Sequence, residues 1–167
     1  AIEIAEKKFP EIEELKKKKQ LPTQLYVSVN APNKTLYDKF HRSTKKNAWE
    51  LLNKSLGLMK ELKGKTRTVF RMNLVRGINM SDEHIKEYAE LIKKSKPMFV
   101  EIKGYMSVGF ARQRLGYDRM PDDKEILEFS KKLTKATGLK VLDNHKFSRA
   151  TVLGKNKKDL KIKKSQI

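Results

Sequence analysis

Strand-like and helix-like segments alternate along this sequence at intervals of roughly 30–40 residues, and this alternation constrains the fold most. Strand-like segments run over Leu25–Asn30, Thr66–Val75 and Met98–Met106. Apolar residues at helical spacing fill Asn47–Leu62 between the first two strands, and a helix begins after Ser81 between the second and third. This order predicts right-handed βαβ units and a parallel sheet.

The segments that follow complete the predicted fold. A helix is predicted over Asp122–Ala136, with Glu125 at the capping-box position, before two short strands at Leu139–Asp143 and Arg149–Leu153. The predicted fold class is therefore α/β, with about four parallel strands, helices on one side and a short C-terminal strand pair. A closed barrel of eight parallel strands needs about 250 residues, and this chain has 167. We therefore expect an open sheet or part of a larger barrel.

The sheet domain is predicted to span residues 21–154, with a helical segment before it (residues 1–20) and a basic tail after it (residues 155–167). Pro10 suits the start of an N-terminal helix, and Lys16–Lys19 lie at its end, where cations are favoured by the helix dipole. We expect these lysines to form a solvated helix end rather than a binding patch. The tail from Lys155 is expected to be disordered and to contact nucleic acid nonspecifically.

Polar residues interrupt one face of each predicted parallel strand. Because side chains alternate along a strand, one face of each is apolar while the other becomes polar toward its end. A parallel sheet buried on both faces would instead be apolar throughout, so this pattern indicates a site at the carboxyl ends of the strands. The alternative is a buried network in which Glu101 pairs with Arg71 or Lys103. The polar residues are Ser28 and Asn30, Arg71 and Asn73, and Glu101, Lys103 and Tyr105.

Positive charge dominates the composition, with 39 Lys and Arg against 20 Asp and Glu, a formal net charge of +19. Such an excess attracts polyanions, and nucleic acid is the commonest of these. The alternative is a lysine-rich composition that serves thermal stability. After the third strand, Arg112, Arg114 and Arg119 alternate with Phe110 and Tyr117, a composition typical of RNA-binding surfaces. A solvated loop is the alternative.

The sequence contains no cysteine, which excludes disulfides and any metal or iron–sulfur site built on this chain's own thiolates. Its three histidines show no ligand spacing, so no metal-binding residue is predicted. No apolar run approaches the length of a membrane span and no signal peptide is visible, which indicates a cytoplasmic protein without a membrane partner. The first residue is Ala, so we expect a trimmed piece of a longer chain.

The order of these motifs resembles the second half of a radical SAM barrel. Three segments are similar to the tRNA 4-demethylwyosine synthase family of wybutosine biosynthesis: LPTQLYVSVNAP, RTVFRMNLVRGINM and KPMFVEIKGYMSVG. The likeness runs from Leu21 to Gly154. It implies a partial (β/α) barrel of the radical SAM type that corresponds to the C-terminal half of such an enzyme.

The resemblance implies two cofactors, S-adenosylmethionine (SAM) and a [4Fe–4S] cluster, and a lyase reaction that modifies tRNA. In that reaction, carbons from pyruvate are added to N1-methylguanosine-37 of phenylalanine tRNA to give a tricyclic base. Lys103 would bind an anion or form a Schiff base, and a salt bridge to Glu101 is the alternative. Arg42 would reach a phosphate or the cofactor, unless it is a solvated loop arginine. Ser28 and Asn30 would contact the SAM ribose, and Arg71, Asn73 and Glu101 would line the cofactor cavity.

One departure from the family pattern is large. Members of the superfamily carry a Cys-x-x-x-Cys-x-x-Cys motif near the first strand, and this chain has no cysteine. The resemblance therefore implies that an N-terminal half, on the same gene or a second chain, supplies the cluster ligands and the family's reactive lysine. It also implies that this chain is not active alone. The alternative is a non-catalytic, basic RNA-binding module derived from the same half-barrel.

Overall fold

The computed structural model describes residues 12–164, which form one mixed sheet of five strands with helices packed on it. The strands are β1 Gln24–Ser28, β2 Arg67–Leu74, β3 Phe99–Gly104, β4 Lys140–His145 and β5 Ala150–Gly154. Their order across the sheet is β1-β2-β3-β5-β4. The predicted α/β class and the open sheet are confirmed.

Three strands, rather than about four, are parallel neighbours. Strands β1, β2 and β3 pair in parallel, whereas β5 is antiparallel to both β3 and β4. The connection between β4 and β5 covers only residues 146–149, and a connection that short can join only antiparallel strands. The predicted C-terminal strand pair therefore extends the same sheet, with Ala150 beside Lys103 and Gly154 beside Phe99.

The helices are α1 Lys34–His41, α2 Ala48–Glu61, α3 Asp82–Ser95, α4 Gly109–Leu115 and α5 Asp123–Thr137. Helix α5 begins with the predicted capping box. The Glu125 backbone N–H donates to Asp122 Oδ1 at 2.9 Å, and the Asp122 N–H donates to Glu125 Oε2 at 2.8 Å. Gly138 ends the helix in the left-handed conformation, with φ 73°.

Helices α1 and α4 were not predicted, and the expectation of a loop between β3 and α5 is wrong over Gly109–Leu115. Helix α4 buries none of its residues, and α1 buries only Tyr37. Local signals therefore specify them. Asn33 caps α1 by accepting from the Leu36 N–H at 2.9 Å, and Gly116 ends α4. Both helices are short, eight and seven residues, so neither repeats its apolar spacing often enough to be recognised in the sequence.

The main core lies on one face of the sheet, under α2, α3 and α5. Strand residues of the predicted apolar faces, such as Val27, Phe70 and Ile102, pack there against helix residues such as Leu56 and Leu133. This face corresponds to the side on which the sequence placed the helices. The alternation of the three parallel strands is therefore confirmed on the helix-covered face.

The opposite face of the sheet carries a much smaller apolar cluster. Val69, Phe99 and Leu142 form it, and Leu160 packs against it. Leu160 belongs to a 3-10 turn, Lys157–Leu160, where we expected disorder. Its side chain covers apolar surface that the helices leave open, which stabilises the turn. From this cluster toward the carboxyl ends of β1–β3, the second face becomes polar.

The ends of the chain are described only in part. Residues 12–17 are helical, as expected for the N-terminal segment. The predicted helix start at Pro10 and the last tail residues, 165–167, lie outside the described residues. Within residues 12–164, no helix is long and apolar enough to cross a membrane.

Candidate functional site

The carboxyl ends of β1, β2 and β3 form one edge of the sheet, which we call the mouth. Arg71 and Glu101 face each other across β2 and β3 on the second face. The guanidinium donates twice to the carboxylate, from Nε to Oε2 at 3.0 Å and from Nη2 to Oε1 at 3.2 Å. The Tyr26 ring lies under it, with 4.5 Å from Cζ to the ring centroid. Of the two predicted partners for Glu101, the structure therefore selects Arg71.

The strand ends at the mouth are held together by the side chain of Asn79, which is fully buried. Its Nδ2 donates to the carbonyls of Asn30 (2.8 Å) and Asn73 (2.9 Å), and its Oδ1 accepts from the Val75 N–H at 2.7 Å. The Asn73 N–H in turn donates to Asn30 Oδ1 at 3.1 Å. These bonds tie the end of β1 to the end of β2. Asn30, predicted as a cofactor ligand, thus has its side-chain oxygen engaged within the protein.

Three other polar side chains of the mouth have no partner within residues 12–164: the Ser28 hydroxyl, the Asn73 amide and the Lys103 ammonium. Ser28 pairs in register with Arg71, and Asn73 with Lys103, so these groups line one patch of the second face. The predicted alternative, a Lys103–Glu101 salt bridge, is not formed in the described structure. The mouth therefore presents a hydroxyl, an amide and an ammonium to a polar or anionic ligand.

Tyr105 supports the segment after β3. Its side chain is 3% exposed, and its hydroxyl donates to the Ala111 carbonyl at 2.8 Å, which anchors α4. On that helix, Arg112 Nε donates to the Ser107 carbonyl at 3.3 Å, and its Cζ lies 4.9 Å from the Tyr117 ring centroid. Arg112 and Tyr117 thus form one exposed cation–π pair. Contact of Tyr105 with tRNA or substrate stays a prediction.

The other predicted RNA-binding residues differ in position. Arg114 and Phe110 extend from α4 into solvent, and Phe110 is 84% exposed. Arg119 Nη1 lies 3.5 Å from the Arg76 carbonyl, at the base of the same loop. Arg42 is exposed just after α1, with φ 47°, and contacts none of the mouth residues within the described part of the chain.

Arg76 joins the loops after β2 and β3 to the start of α5, a connection that the sequence analysis missed. Its Nε donates to Glu125 Oε1 at 2.8 Å, its Nη2 bonds the other carboxylate oxygen, and its Nη1 donates to the Asp118 carbonyl at 2.6 Å. Hydrogen bonding to Arg76 holds the pKa of Glu125 below its ordinary value. Arg76 and Glu125 also line a cleft of about 480 Å³ beside the mouth.

The Arg76–Glu125 pair predicts a component of acid sensitivity. The pKa of Glu125 is lower in the folded protein than its ordinary value of 4.5. The ionised carboxylate therefore contributes its full share to the free energy of unfolding above pH 4.5, and this contribution is lost as the pH falls through the folded-state pKa. Glu125→Gln keeps a capping-box acceptor but removes the charge. We expect its melting temperature to be about 1–3 °C lower at pH 7, with the difference from wild type shrinking below pH 4.5.

The control is Glu128→Gln, which removes a more exposed carboxylate from the same helix. We expect it to leave the melting temperature at pH 7 unchanged, because exposed ion pairs contribute little. Thermal scans between pH 3 and pH 7 measure this temperature and the acid dependence of Glu125→Gln. A difference between Glu125→Gln and wild type that stays constant over this range would contradict the assigned role of the Glu125 charge.

No group of three or more His, Asp or Glu side chains within residues 12–164 is placed to hold a metal ion.

Comparison with known proteins begins with a family model described as "Wyosine base formation", which matches residues 94–155. This range covers β3, α4, α5 and the C-terminal strand pair. The S-adenosyl-L-methionine-dependent tRNA 4-demethylwyosine synthase of Pyrococcus abyssi is 41% identical over 143 residues, which are 85% of this chain and 41% of that protein. The synthase of the same name from Saccharomyces cerevisiae is 37% identical over 115 residues, 67% of this chain and 14% of that protein.

Solved structures agree in fold. A structure of TYW1 with a bound lysine–pyruvate adduct matches with a TM-score of 0.70 and 34% identity, over 82% of this chain and 42% of that chain. A crystal structure of archaeal TYW1 matches with a TM-score of 0.62 and 30% identity, over 84% of this chain and 42% of that chain. This chain spans about 41% of the length of its archaeal relatives. In sequence and in fold, it belongs to the tRNA 4-demethylwyosine synthase family, to whose C-terminal part it corresponds.

Proposed function

We propose that this chain is part of a radical SAM enzyme that builds 4-demethylwyosine from N1-methylguanosine-37 of phenylalanine tRNA and pyruvate. In this proposal, the chain supplies contacts to the SAM ribose, to the reaction cavity and to tRNA. The observation that carries it is the mouth, where Ser28, Asn73 and Lys103, which have no side-chain partner within residues 12–164, lie beside a preformed Arg71–Glu101 pair. The names of the relatives support the reaction class.

The donor set of the mouth fits SAM, which has ribose hydroxyls and an amino-acid carboxylate. The Ser28 hydroxyl and the Asn73 amide can hydrogen-bond hydroxyls, and the Asn30 amide group lies at the same strand end. Glu101 engages Nε and Nη2 of Arg71, which leaves Nη1 as the nitrogen that could donate to a ligand carboxylate. When bound, SAM would supply the radical chemistry of the proposed reaction, and the residues of this chain would bind and orient the SAM molecule.

The chain's residues do not fit the cluster itself, because it has no cysteine thiolates. We propose that an N-terminal half, encoded by the same gene or by a second one, holds the cluster and pairs with this half-barrel. The limited share of the archaeal relatives that this chain spans supports a missing half. It follows that this chain is not active alone.

Pyruvate is the proposed carbon donor, and a related structure carries pyruvate as a lysine adduct. The resemblance places the family's reactive lysine in the N-terminal half, and Lys103 is this chain's own candidate to bind the carboxylate or to form a Schiff base. Because Arg71 already neutralises Glu101, the Lys103 ammonium is not committed to that carboxylate. Its position beside Asn73 places it at the end of β3, within the mouth.

Phenylalanine tRNA is the proposed polyanionic partner. The formal net charge of +19 favours phosphate contacts, and Arg112, Arg114 and Arg119 lie on the loop segment that follows β3. Since the carboxyl end of β3 is part of the mouth, RNA held by these arginines would bring a nucleotide to the cavity. A target base within a stacked loop must leave its stack to reach it.

The test is anaerobic purification of the protein from its native source, followed by intact mass, iron content and assay with N1-methylguanosine-37 tRNA, pyruvate and SAM. We expect iron together with a cysteine-bearing partner or a longer polypeptide, and nucleoside mass spectrometry should detect 4-demethylwyosine. A lone 19.4 kDa chain that binds no iron and makes no product would contradict the catalytic proposal.

That contrary outcome would favour the second candidate, a non-catalytic RNA-binding module derived from the same half-barrel. The absence of cysteine and the strong positive charge favour it. The two candidates differ in SAM cleavage, which only the first predicts for the purified assembly. Both predict tRNA binding that weakens steeply with salt concentration.

A further inference from the structure

The turn between β4 and β5 lies at the mouth. Strand β5 runs antiparallel to β3, so that Ala150 sits beside Lys103, and the Gly104 N–H donates to the Arg149 carbonyl at 2.9 Å. The turn, residues 146–149, therefore emerges at the same edge of the sheet as the arginine-bearing segment after β3. No local sequence pattern predicts that this turn lies beside the arginine-bearing segment.

Phe147 at the tip of this turn is 89% exposed, more than any other large hydrophobic side chain of residues 12–164. Single exposed apolar residues are common, but this one has a particular setting. Phe110 (84% exposed) and Tyr117 (56%) are the next most exposed aromatic residues of the described chain, and both follow the end of β3. The three most exposed rings thus follow strand ends on one edge of the sheet.

Cations flank Phe147 on both sides. Lys146 precedes it and Arg149 follows it, and neither has an acidic partner within the described residues. Arg149 Nη1 donates to the Pro121 carbonyl at 3.3 Å, which links the turn to the end of the arginine-bearing segment. The turn thus combines an exposed ring with uncompensated positive charge, a combination suited to a polyanion that has stackable faces.

Internal hydrogen bonds also fix the backbone of the turn that carries the ring. The Ser148 N–H donates to His145 Nδ1 at 3.2 Å, and the Arg149 N–H donates to the Lys146 carbonyl at 3.1 Å. The ring of His145 lies 6.4 Å from that of Phe147 in an edge-on arrangement. Such preorganisation reduces the ordering that binding would otherwise require.

We propose that the His145–Arg149 turn is a second RNA-docking element, in which Phe147 stacks on a nucleobase of the tRNA loop. The proposal rests on the proposed function, because the target base must leave its stack and so exposes the face of a neighbour. Phe147 covers such a face, while Lys146 contacts the backbone phosphates. The arginine-bearing segment and this turn would then contact the tRNA loop from two sides of the mouth.

The contrast with the opposite edge of the sheet supports a role beyond general charge. There, a basic cleft of about 630 Å³ is lined by cations that include Lys63, Lys65, Lys96 and Lys155. None of the exposed large aromatic residues of the described chain lines that cleft. Phosphate attraction alone would use either edge, but within residues 12–164 exposed large aromatic rings are found at the mouth and not in that cleft.

Three substitutions in the complete native assembly test the proposal. Phe147→Ala removes the ring, Phe147→Leu keeps apolar surface without a π face, and Phe147→Trp keeps both. The measured quantity is the Kd for phenylalanine tRNA carrying N1-methylguanosine-37, at one fixed salt concentration. We expect Ala and Leu to weaken binding about 5–20-fold and Trp to stay within about twofold. Stacking should also quench the fluorescence of the new tryptophan when tRNA is added.

A matched control is Lys65→Ala at the opposite edge, for which we expect a change in Kd of less than about twofold. Unchanged tRNA affinity for Phe147→Ala would overturn the proposal. Retention of affinity by Phe147→Leu would also overturn it, since that result means apolar contact rather than stacking. Loss of the N-terminal half on purification of Phe147→Ala would assign the turn to a protein contact instead.

These outcomes separate the docking element from the proposed reaction. A wild-type assembly that makes 4-demethylwyosine, with Phe147→Ala binding tRNA equally well, contradicts only the docking role. An assembly that makes no product but binds tRNA in a Phe147-dependent way contradicts only the reaction. If wild-type protein fails to bind tRNA, both are overturned.

Discussion

Replacing Asn79 by alanine is expected to lower the free energy of unfolding by about 2–4 kcal/mol. The side chain is fully buried and makes three hydrogen bonds to the main chain at the ends of β1 and β2. Alanine would leave the Val75 N–H without its acceptor and the carbonyls of Asn30 and Asn73 without this donor. Each buried group that loses its partner costs about 1–3 kcal/mol, and relaxation reduces the sum.

A change of Asn79 to aspartate distinguishes the acceptor function of its side-chain oxygen from the donor function of its amide nitrogen. Asn79→Asp keeps an oxygen for the Val75 N–H but replaces the amide donor by an oxygen that faces two carbonyls. We therefore expect aspartate to be no better tolerated than alanine, although it has nearly the same shape. If the side chain acted by filling space alone, aspartate would restore stability.

The matched control is Asn53→Ala, which also removes two side-chain hydrogen bonds, one to the Trp49 carbonyl and one from Lys94. Asn53 lies partly exposed on a helix, where water replaces the lost partners and alanine is a better helix former. We expect a change below about 1 kcal/mol. Calorimetric melting of the purified proteins measures the stability of all three variants. Equal losses in the free energy of unfolding for Asn79→Ala and Asn53→Ala would contradict the bridging role assigned to Asn79.

The alternation of the strands was predictable because it is a local property. A period of two places Phe70 and Met72 on one face and Arg71 and Asn73 on the other, whatever the strand pairs with. The helices with apolar stripes, α2, α3 and α5, were predictable for the same kind of reason. The class of fold and the edge that carries the polar groups follow from these two periodicities, without knowledge of the sheet order.

The partner of Glu101 was not predictable, because it depends on register. Lys103 is two residues away on the same strand, about 7 Å along it, whereas Arg71 lies directly opposite on β2. Neighbouring strands lie about 4.8 Å apart, which is closer than two residues along one strand, so the cross-strand pair forms. A shift of the β2–β3 register would bring other pairs together, and no local pattern in the sequence fixes that register.

The bridging role of the Asn79 side chain and the position of the aromatic turn were not predicted, for a related reason. Asn79 lies six residues beyond Asn73, and only the path of the intervening turn, with Gly77 at φ 71°, brings its amide between two strand ends. Phe147 follows a strand that the sequence did place near the C-terminus, but the sheet order alone puts its turn at the mouth. Both positions depend on contacts between distant segments.

Removal of Arg71 is expected to destabilise the fold, and comparison of this loss with the loss on removal of Glu101 tests the pairing at the mouth. The Glu101 side chain is 16% exposed, whereas that of Arg71 is 40% exposed. Arg71→Ala therefore leaves a mostly buried carboxylate without a partner, and we expect it to cost about 1.5–3 kcal/mol. Glu101→Ala leaves the better solvated guanidinium over the Tyr26 ring and should cost less.

The double variant Arg71→Ala/Glu101→Ala distinguishes pairing from bulk packing. If the cost of Arg71→Ala comes from an unpaired carboxylate, removal of Glu101 as well should restore about 1 kcal/mol or more, measured as a rise in melting temperature of about 2–4 °C. Strictly additive losses would mean that the two side chains stabilise the sheet independently. In the complete assembly, Arg71→Ala should abolish most 4-demethylwyosine formation whether or not Glu101 is present, because a restored fold does not restore the guanidinium that the proposed cavity requires.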